Sequence, residues 1–263
     1  MLGTKMNIIN RFKMMVPVKS ALLPFLFAIL SLSGCGNGND EMAIEELELI
    51  GTFPVNIPEP SGLSMNESGT GLYTVSDNTN NIYKISLKGN VIQKFQYTGN
   101  DLEGVSLFTA NKLLVAEERN KEIVVYDLLT NEIVKHKIDY NNSDANSGLE
   151  GVDYNFDDGI IYALNEKDPG LLIQLRSNFS IISQTELDFA IDYSGICYDS
   201  SIKKLWIVSD QNQTINKCEL NGDLIKSYPI NVIKAEGIAV TDKEIYIISD
   251  GTAKLYIFNK PIE

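Results

Sequence analysis

Histidine is almost absent from this chain of 263 residues: His136 is the only one, and it sits in EIVKHKIDY, a segment that the repeat pattern below places on an outermost strand. A Ser-His-Asp hydrolytic centre needs an imidazole beside its nucleophile and is thereby excluded. Basic residues are also scarce. From residue 35 onward 18 Lys and Arg face 35 Asp and Glu, a net charge of −17. Such a surface repels nucleic acid and anionic headgroups and favours cations and cationic partners. Three cysteines are present, Cys35, Cys197 and Cys218. The last two fall in one repeat on strands separated by a third, roughly 9.5 Å apart, beyond the approximate 7 Å reach of a disulfide, so both are expected as free buried thiols. Long apolar runs are missing too. The longest, Ala21 to Leu32, is interrupted by Pro24 and falls short of the roughly 20 residues that span a bilayer.

That short run is read as a secretion signal rather than as part of the fold. Lys5, Arg11, Lys13 and Lys19 precede it, and Leu32-Ser33-Gly34-Cys35 follows. The tetrapeptide resembles the bacterial lipobox, which implies cleavage before Cys35 and lipidation of that residue. The alternative is an uncleaved anchor. Several acyl chains on one residue hold a protein at a membrane without spanning it. Residues 35–45 then form the lipidated cysteine and a polar tether, GNGNDEMAIE. Gly36 stands where an aspartate would retain a Gram-negative lipoprotein at the inner membrane. An outer-membrane location in the bacterial cell envelope is therefore favoured, with inner-membrane retention or the outer face of a Gram-positive membrane as alternatives.

What is abundant is repetition. PSGLS, LEGVS, LEGVD, YSGIC and AEGIA recur with their glycines at Gly62, Gly104, Gly151, Gly195 and Gly237, at spacings of 42, 47, 44 and 42 residues. That period is one four-stranded propeller blade. Further along each unit comes a β-branched and aromatic run that ends in acid: LYTVSD, LLVAEE, IYALNE, LWIVSD, IYIISD. The fifth unit parses as strands at 237–240, 244–249 and 254–259, separated by turn residues, and then the chain stops. The missing fourth strand is found at the N-terminus. Phe53-Pro54-Val55-Asn56 lines up with Tyr228-Pro229-Ile230-Asn231, the outer strand of the fourth unit. Residues 46–263 are thus predicted to form one all-β, five-bladed propeller of antiparallel blades, its ring closed by the strand near Leu47 to Val55. A monomer without helices is expected. The insertion NNSDANS, residues 141–147, accounts for the longest spacing and reads as a polar loop.

Repeats of the form [SE]-G-[LVI] followed by a hydrophobic run ending in S-D resemble the SdiA-regulated family of bacterial envelope lipoproteins over nearly all of residues 46–263. More distantly they are similar to YWTD and NHL propellers, which usually have six blades. The resemblance implies the fold and the envelope location, and it implies no activity.

In a propeller the start of the innermost strand and the end of the second meet at one face near the axis. An inner ring of Ser61, Glu103, Glu150, Ser194 and Glu236 and a second ring of Asp77, Glu117, Glu166, Asp210 and Asp250 are predicted there. So many converging carboxylates need protons, hydrogen bonds or a cation. Oxygen ligands without histidine or cysteine suit Ca²⁺, with Glu103, Glu150 and Glu236 as ligands and the second ring as supporting or structural acids. The gluconolactonase-like calcium propellers offer an analogy limited to the E-G glutamates. The competing reading makes the inner glutamates hydrogen-bonded fasteners. Functionally the sequence favours a calcium-binding scaffold or binding module with a protein or small-molecule ligand on the axial face. A metal-dependent hydrolase, phytase-like or esterase/lactonase-like, is the alternative, and the basic residues near the face are only Arg119, Lys121, Lys167 and Lys234.

Overall fold

A computed structural model describes residues 45–142 and 147–262. Residues 1–44, which hold the segment read above as a signal, Cys35 and most of the expected tether, and residues 143–146 of the insertion lie outside the described residues. The chain opens with β1 (Leu49–Pro54). Blade one comprises β2 (Pro60–Met65), β3 (Gly71–Ser76), β4 (Asn81–Ser86) and β5 (Val91–Thr98). Blade two is β6 (Leu102–Thr109), β7 (Lys112–Glu117), β8 (Glu122–Asp127) and β9 (Ile133–Lys137). Blade three follows with β10 (Leu149–Asn155), β11 (Ile160–Asn165), β12 (Leu171–Arg176) and β13 (Ile181–Glu186). Blade four is β14 (Gly195–Asp199), β15 (Lys204–Ser209), β16 (Thr214–Cys218) and β17 (Leu224–Pro229). Blade five supplies β18 (Ala235–Val240), β19 (Glu244–Ser249) and β20 (Lys254–Asn259), and its sheet runs β1-β20-β19-β18. All pairings are antiparallel, and no helix occurs among the described residues.

The N-terminal strand closes the ring in the register that its likeness to the fourth blade predicts. Pro54 pairs with Lys254, the first residue of β20, as Pro229 pairs with Thr214, the first of β16. The next residue repeats the match, because Val55 N–H donates to Ala253 O at 2.8 Å and Ile230 N–H to Gln213 O at 2.9 Å. A proline is tolerated at the end of an outer strand because that edge has a donor to spare. The far end of the chain is pinned as well. Lys260 Nζ lies 2.5 Å from Asp199 of blade four, both side chains about 95% buried at 5% and 4% exposure, and Trp206 Nε1 donates to the same carboxylate at 3.1 Å.

Each blade is apolar on both faces, so the core divides into five hydrophobic clusters, one at every blade interface. The cluster between blades one and two, for example, packs Val75, Ile82 and Tyr97 against Leu102, Val115 and Tyr126. Contacts of this nearest-neighbour kind leave an open seam costly, which is why ring closure by β1 matters.

The repeated glycines are explained at the axis. A Cβ on Gly62, at φ +54°, would sit 2.6 Å from the Glu103 carbonyl oxygen, and one on Gly237 would sit 2.5 Å from the Gly62 carbonyl carbon. Neighbouring innermost strands therefore touch backbone to backbone. They leave a void of only about 10 Å³ on the axis, room for about one water molecule, so the backbone constricts the axis between two mouths.

Candidate functional site: an acid cup at one axial mouth

The mouth at the start of the innermost strands is a cavity of about 190 Å³ lined almost wholly by acids and their hydrogen-bonding neighbours. Ser61, Glu103, Glu150, Ser194 and Glu236 all line it, as the repeat register predicts. The two serines act as fasteners: Ser61 Oγ donates to Glu103 O and Ser194 Oγ to Ala235 O, each at 2.8 Å. Desolvation first, then repulsion from neighbouring acids, pushes the Glu103 and Glu150 carboxyls well above the usual carboxylate range. Glu236 is pushed up to about 8 by the same causes in the same order.

Around this ring stand Asp77, Glu166, Asp210 and Asp250. The backbone sets the height of Asp77, Glu166 and Asp250, and of Glu118 in blade two. Asp77 N–H donates to Glu59 O at 3.2 Å, Glu118 N–H to Asp101 O at 2.9 Å, Glu166 N–H to Gly148 O at 3.1 Å and Asp250 N–H to Lys234 O at 3.0 Å. The acceptors Glu59, Asp101 and Lys234 have φ of 43°, 61° and 48°, a left-handed turn that is unfavourable for a side-chain-bearing residue and persists because the surrounding bonds fix it.

Blade two corrects the sequence reading. Glu117, assigned above to the second ring, points into the blade with a side chain that is 0% exposed. It accepts from Tyr97 Oη, from Asn120 Nδ2 at 2.9 Å and from Lys135 Nζ at 2.6 Å. These hydrogen bonds hold its carboxyl below the usual range despite burial. The ring position belongs to Glu118, pushed up to about 7 by burial and by Asp101. Strand alternation decides the matter, since consecutive residues face opposite ways. Glu117 occupies the slot of Ser76, Ser209 and Ser249, whose hydroxyls bond to local backbone or to Asp192.

The sequence reading also missed the position two residues before the inner ring, which contributes Glu59, Asp101 and Asp192. Its signal was available as acids at the same offset in three units. Asp192, buried, accepts from Ser209 Oγ and from Gln211 N–H at 3.1 Å. Asp101 lies with one carboxyl oxygen, Oδ2, 2.6 Å from Arg119 Nε, yet that buried oxygen receives no hydrogen bond.

The cations near the face are taken by outer acids. Arg119 pairs with Asp101, Lys167 with Glu166, and Lys234 with Asp250 at 2.6 Å, while Lys121 lies 5.3 Å over the Tyr140 ring. Glu103, Glu150 and Glu236 enter none of the described ion pairs. Carboxylate oxygens come within 4.8 Å of one another in two trios, Asp77–Asp101–Glu103 and Glu118–Glu150–Glu166. Glu236 shares the cup and joins neither. An all-oxygen set of this kind is chemistry for a hard cation.

The remaining sequence candidates lie elsewhere. His136, on β9, stacks on Phe179 at 3.7 Å between ring centroids. Cys197 on β14 and Cys218 on β16 are both unpaired.

Solved structures with a similar fold include virginiamycin B lyase from Staphylococcus aureus, at 19% identity and TM-score 0.51, over 77% of this chain and 66% of the lyase. Glutaminyl cyclase from Myxococcus xanthus matches at 12% identity and TM-score 0.61, over 82% of this chain and all of that one. The nidogen/laminin complex matches at 15% identity and TM-score 0.53, over 72% of each chain. At such identities the likeness is one of fold. A more specific assignment comes from the family model described as SdiA-regulated. It matches residues 54–193 and 178–260, from the last residue of β1 past the end of β20, and the chain belongs to that family.

Proposed function

We propose that the protein is a lipid-anchored protein of the bacterial cell envelope whose propeller is a binding module built around a divalent cation, Ca²⁺ first, in the acid cup. The observation that carries this reading is the absence of a cationic partner for the acids of the inner ring. Three converging glutamates have no cationic partner among the described ion pairs, whereas Asp101, Glu166 and Asp250 outside them do. Glu103, Glu150 and Glu236 are the residues that would hold the ion, Glu103 with Asp77 and Asp101 beside it and Glu150 with Glu118 and Glu166. Ca²⁺ accepts many oxygens in irregular geometry, whereas Mg²⁺ demands a near-ideal octahedron. The ligand of the module, a protein or a small molecule, would meet the cup from the axial face, with the membrane engaged through Cys35 and the chain acting as a monomer.

Metal analysis and thermal melting of the purified protein test the cup. At 100 times its dissociation constant, calcium adds about 2.7 kcal/mol of stability, a rise of about 5–10 °C for a domain of this size. Glu103→Gln and Glu236→Gln should shrink that rise. Melting curves that coincide in calcium and in chelator would sink the proposal and leave the ring as a fastener. For the anchor, Cys35→Ser should move the protein from the membrane fraction to the soluble one, and unchanged fractionation would point to an uncleaved segment.

A second reading, metal-dependent hydrolysis of a phosphate ester, ester or lactone, is favoured by one observation. Asp77, Glu118 and Glu236 are held at about 6, 7 and 8, the range in which a carboxyl both holds and releases a proton near neutral pH. A bound metal would supply Lewis acidity at the cup, and Glu118 is the residue placed to take a proton beside Glu150. Calcium-dependent turnover of such model substrates that disappears in Glu118→Gln would establish it; no turnover across the panel would dismiss it.

A further inference from the structure

The opposite mouth of the axis is a second cavity, about 390 Å³, within the size range of small-molecule sites. It is formed where the innermost strands end. Two residues past each repeat glycine stand Ser64, Ser106, Asp153, Cys197 and Ala239. Of these Ser64, Asp153, Cys197 and Ala239 line the cavity, and Ser106 reaches it through Asp153. The wall is aromatic and aliphatic: Tyr154, Phe156, Tyr198, Leu63, Met65 and Val240.

We propose that this second mouth binds a small organic cation, an amine carried on an apolar or aromatic body, with Asp153 receiving the ammonium group. Four observations converge. Asp153 is fixed in place, because Ser106 Oγ donates to its Oδ1 and Tyr198 N–H to its Oδ2, each at 2.5 Å. Among the described residues no Lys or Arg lines the cavity, and the only other charged one there is Glu67. Phe156, 58% exposed, stands edge-on to Tyr154 at 5.0 Å between centroids, a large aromatic surface turned to solvent at the rim. The Tyr198 ring is held by its hydroxyl, which donates to Asp157 at 2.7 Å. A positioned carboxylate beside aromatic faces recognises ammonium ions by ion pairing and by cation–π attraction together.

The alternatives fit less well. A divalent metal needs six or more oxygens, and the lining here offers one fixed carboxylate among aromatic, aliphatic and neutral polar side chains, with Glu67 the other acid. An anion would meet two acids and no base. Burial pushes Asp153 up to about 6, so at pH 7.5 it is ionised in surroundings that disfavour its charge, and a cationic partner relieves that cost. This inference does not depend on the acid cup, which lies beyond the constriction at the glycines.

The test is calorimetric titration of the full-length chain at pH 7.5 with 2-phenylethylamine, and with 3-phenylpropan-1-ol as a neutral counterpart of similar size. Saturable binding of the amine is expected, with the alcohol at least tenfold weaker. Asp153→Asn should weaken the amine at least tenfold and Phe156→Ala about threefold or more, while Glu132→Gln, exposed on the turn between β8 and β9, leaves it unchanged. Should Asp153→Asn fail to fold, Phe156→Ala, whose side chain is at the surface, decides the matter. Absence of saturable amine binding, equal binding of amine and alcohol, or amine affinity unaltered in the folded variants would overturn the proposal.

Discussion

The two mouths of the axis are ends of the same five strands, yet they carry opposite kinds of chemistry. At the cup, equivalent positions in successive blades repeat the same residue types, so the ring concentrates like charge at a level fixed by repeated backbone hydrogen bonds. At the far mouth the equivalent positions have diverged to Ser, Ser, Asp, Cys and Ala. An asymmetric hollow results, with the fixed carboxylate of Asp153 beside aromatic and aliphatic walls. Repetition of a residue around a ring multiplies one property, whereas divergence at the same register builds an asymmetric pocket. Both depend on the backbone constriction between them.

The comparison breaks most completely if that constriction is disturbed. Gly62→Val should prevent folding or cost on the order of 4 kcal/mol, because its Cβ would meet backbone atoms of blade two at 2.6 and 2.8 Å in a left-handed conformation. Soluble yield and the urea midpoint would show it, and a well-folded variant would mean that the blades can separate at the axis without penalty. Next in size is the closure of the ring. Lys260→Met leaves the buried Asp199 carboxylate without its cation and should cost about 3 kcal/mol in urea unfolding; a loss below about 1 kcal/mol would show that Trp206 and Ser201 suffice to hold it.

The pH dependence of stability sharpens the contrast between charged groups that are paired and those that are not. Glu236 binds its proton more tightly in the folded chain, at about 8, than its ordinary 4.5. In metal-free protein the native state is therefore favoured at low pH and loses that advantage as pH climbs from about 4.5 through 8. Glu236→Gln should flatten this decline and raise the melting temperature at pH 8. Glu117 and Asp199 behave in the opposite sense. Their carboxyls are held below the ordinary values of 4.5 and 3.8, so their contribution is present at neutral pH and fades as pH falls below those values. A melting temperature flat from pH 5 to 8 in chelator, identical in wild type and Glu236→Gln, would remove the cup from the energetics. Smallest is the loss of one fastener. Ser61→Ala deletes the 2.8 Å bond to the Glu103 carbonyl and should cost about 1 kcal/mol. A comparable loss in Ser194→Ala would confirm that the serines of the ring are structural.

Much of the fold was legible because a propeller states its period in the sequence. Five glycines at 42 to 47 residue intervals fixed the blade count, and the Pro54 and Pro229 segments announced the closure that β1 makes with β20. Strands of the fifth blade fall within two residues of their predicted limits. The inner ring was equally legible, since each member precedes a repeat glycine. The second ring was legible in four blades and misplaced in the one where two acids are adjacent. LLVAEE offers Glu117 and Glu118 to opposite faces of the same strand end. Composition alone does not say which side faces the axis, whereas register against the other blades does.

The repeat itself determined the fold, the ring closure and the convergence of acids at one mouth. Each is a property of spacing, and spacing is carried by the chain without reference to any neighbour. Only the tertiary structure decided how each acid is partnered. It gave Glu117 the Lys135 ammonium and the Tyr97 hydroxyl, and gave Asp101, Glu166 and Asp250 the cations Arg119, Lys167 and Lys234. It left the inner glutamates to desolvation and mutual repulsion. The same is true of the hollow around Asp153, whose walls come from five blades. Partnership and burial depend on atoms far apart in sequence, and they come into being only when the ring closes.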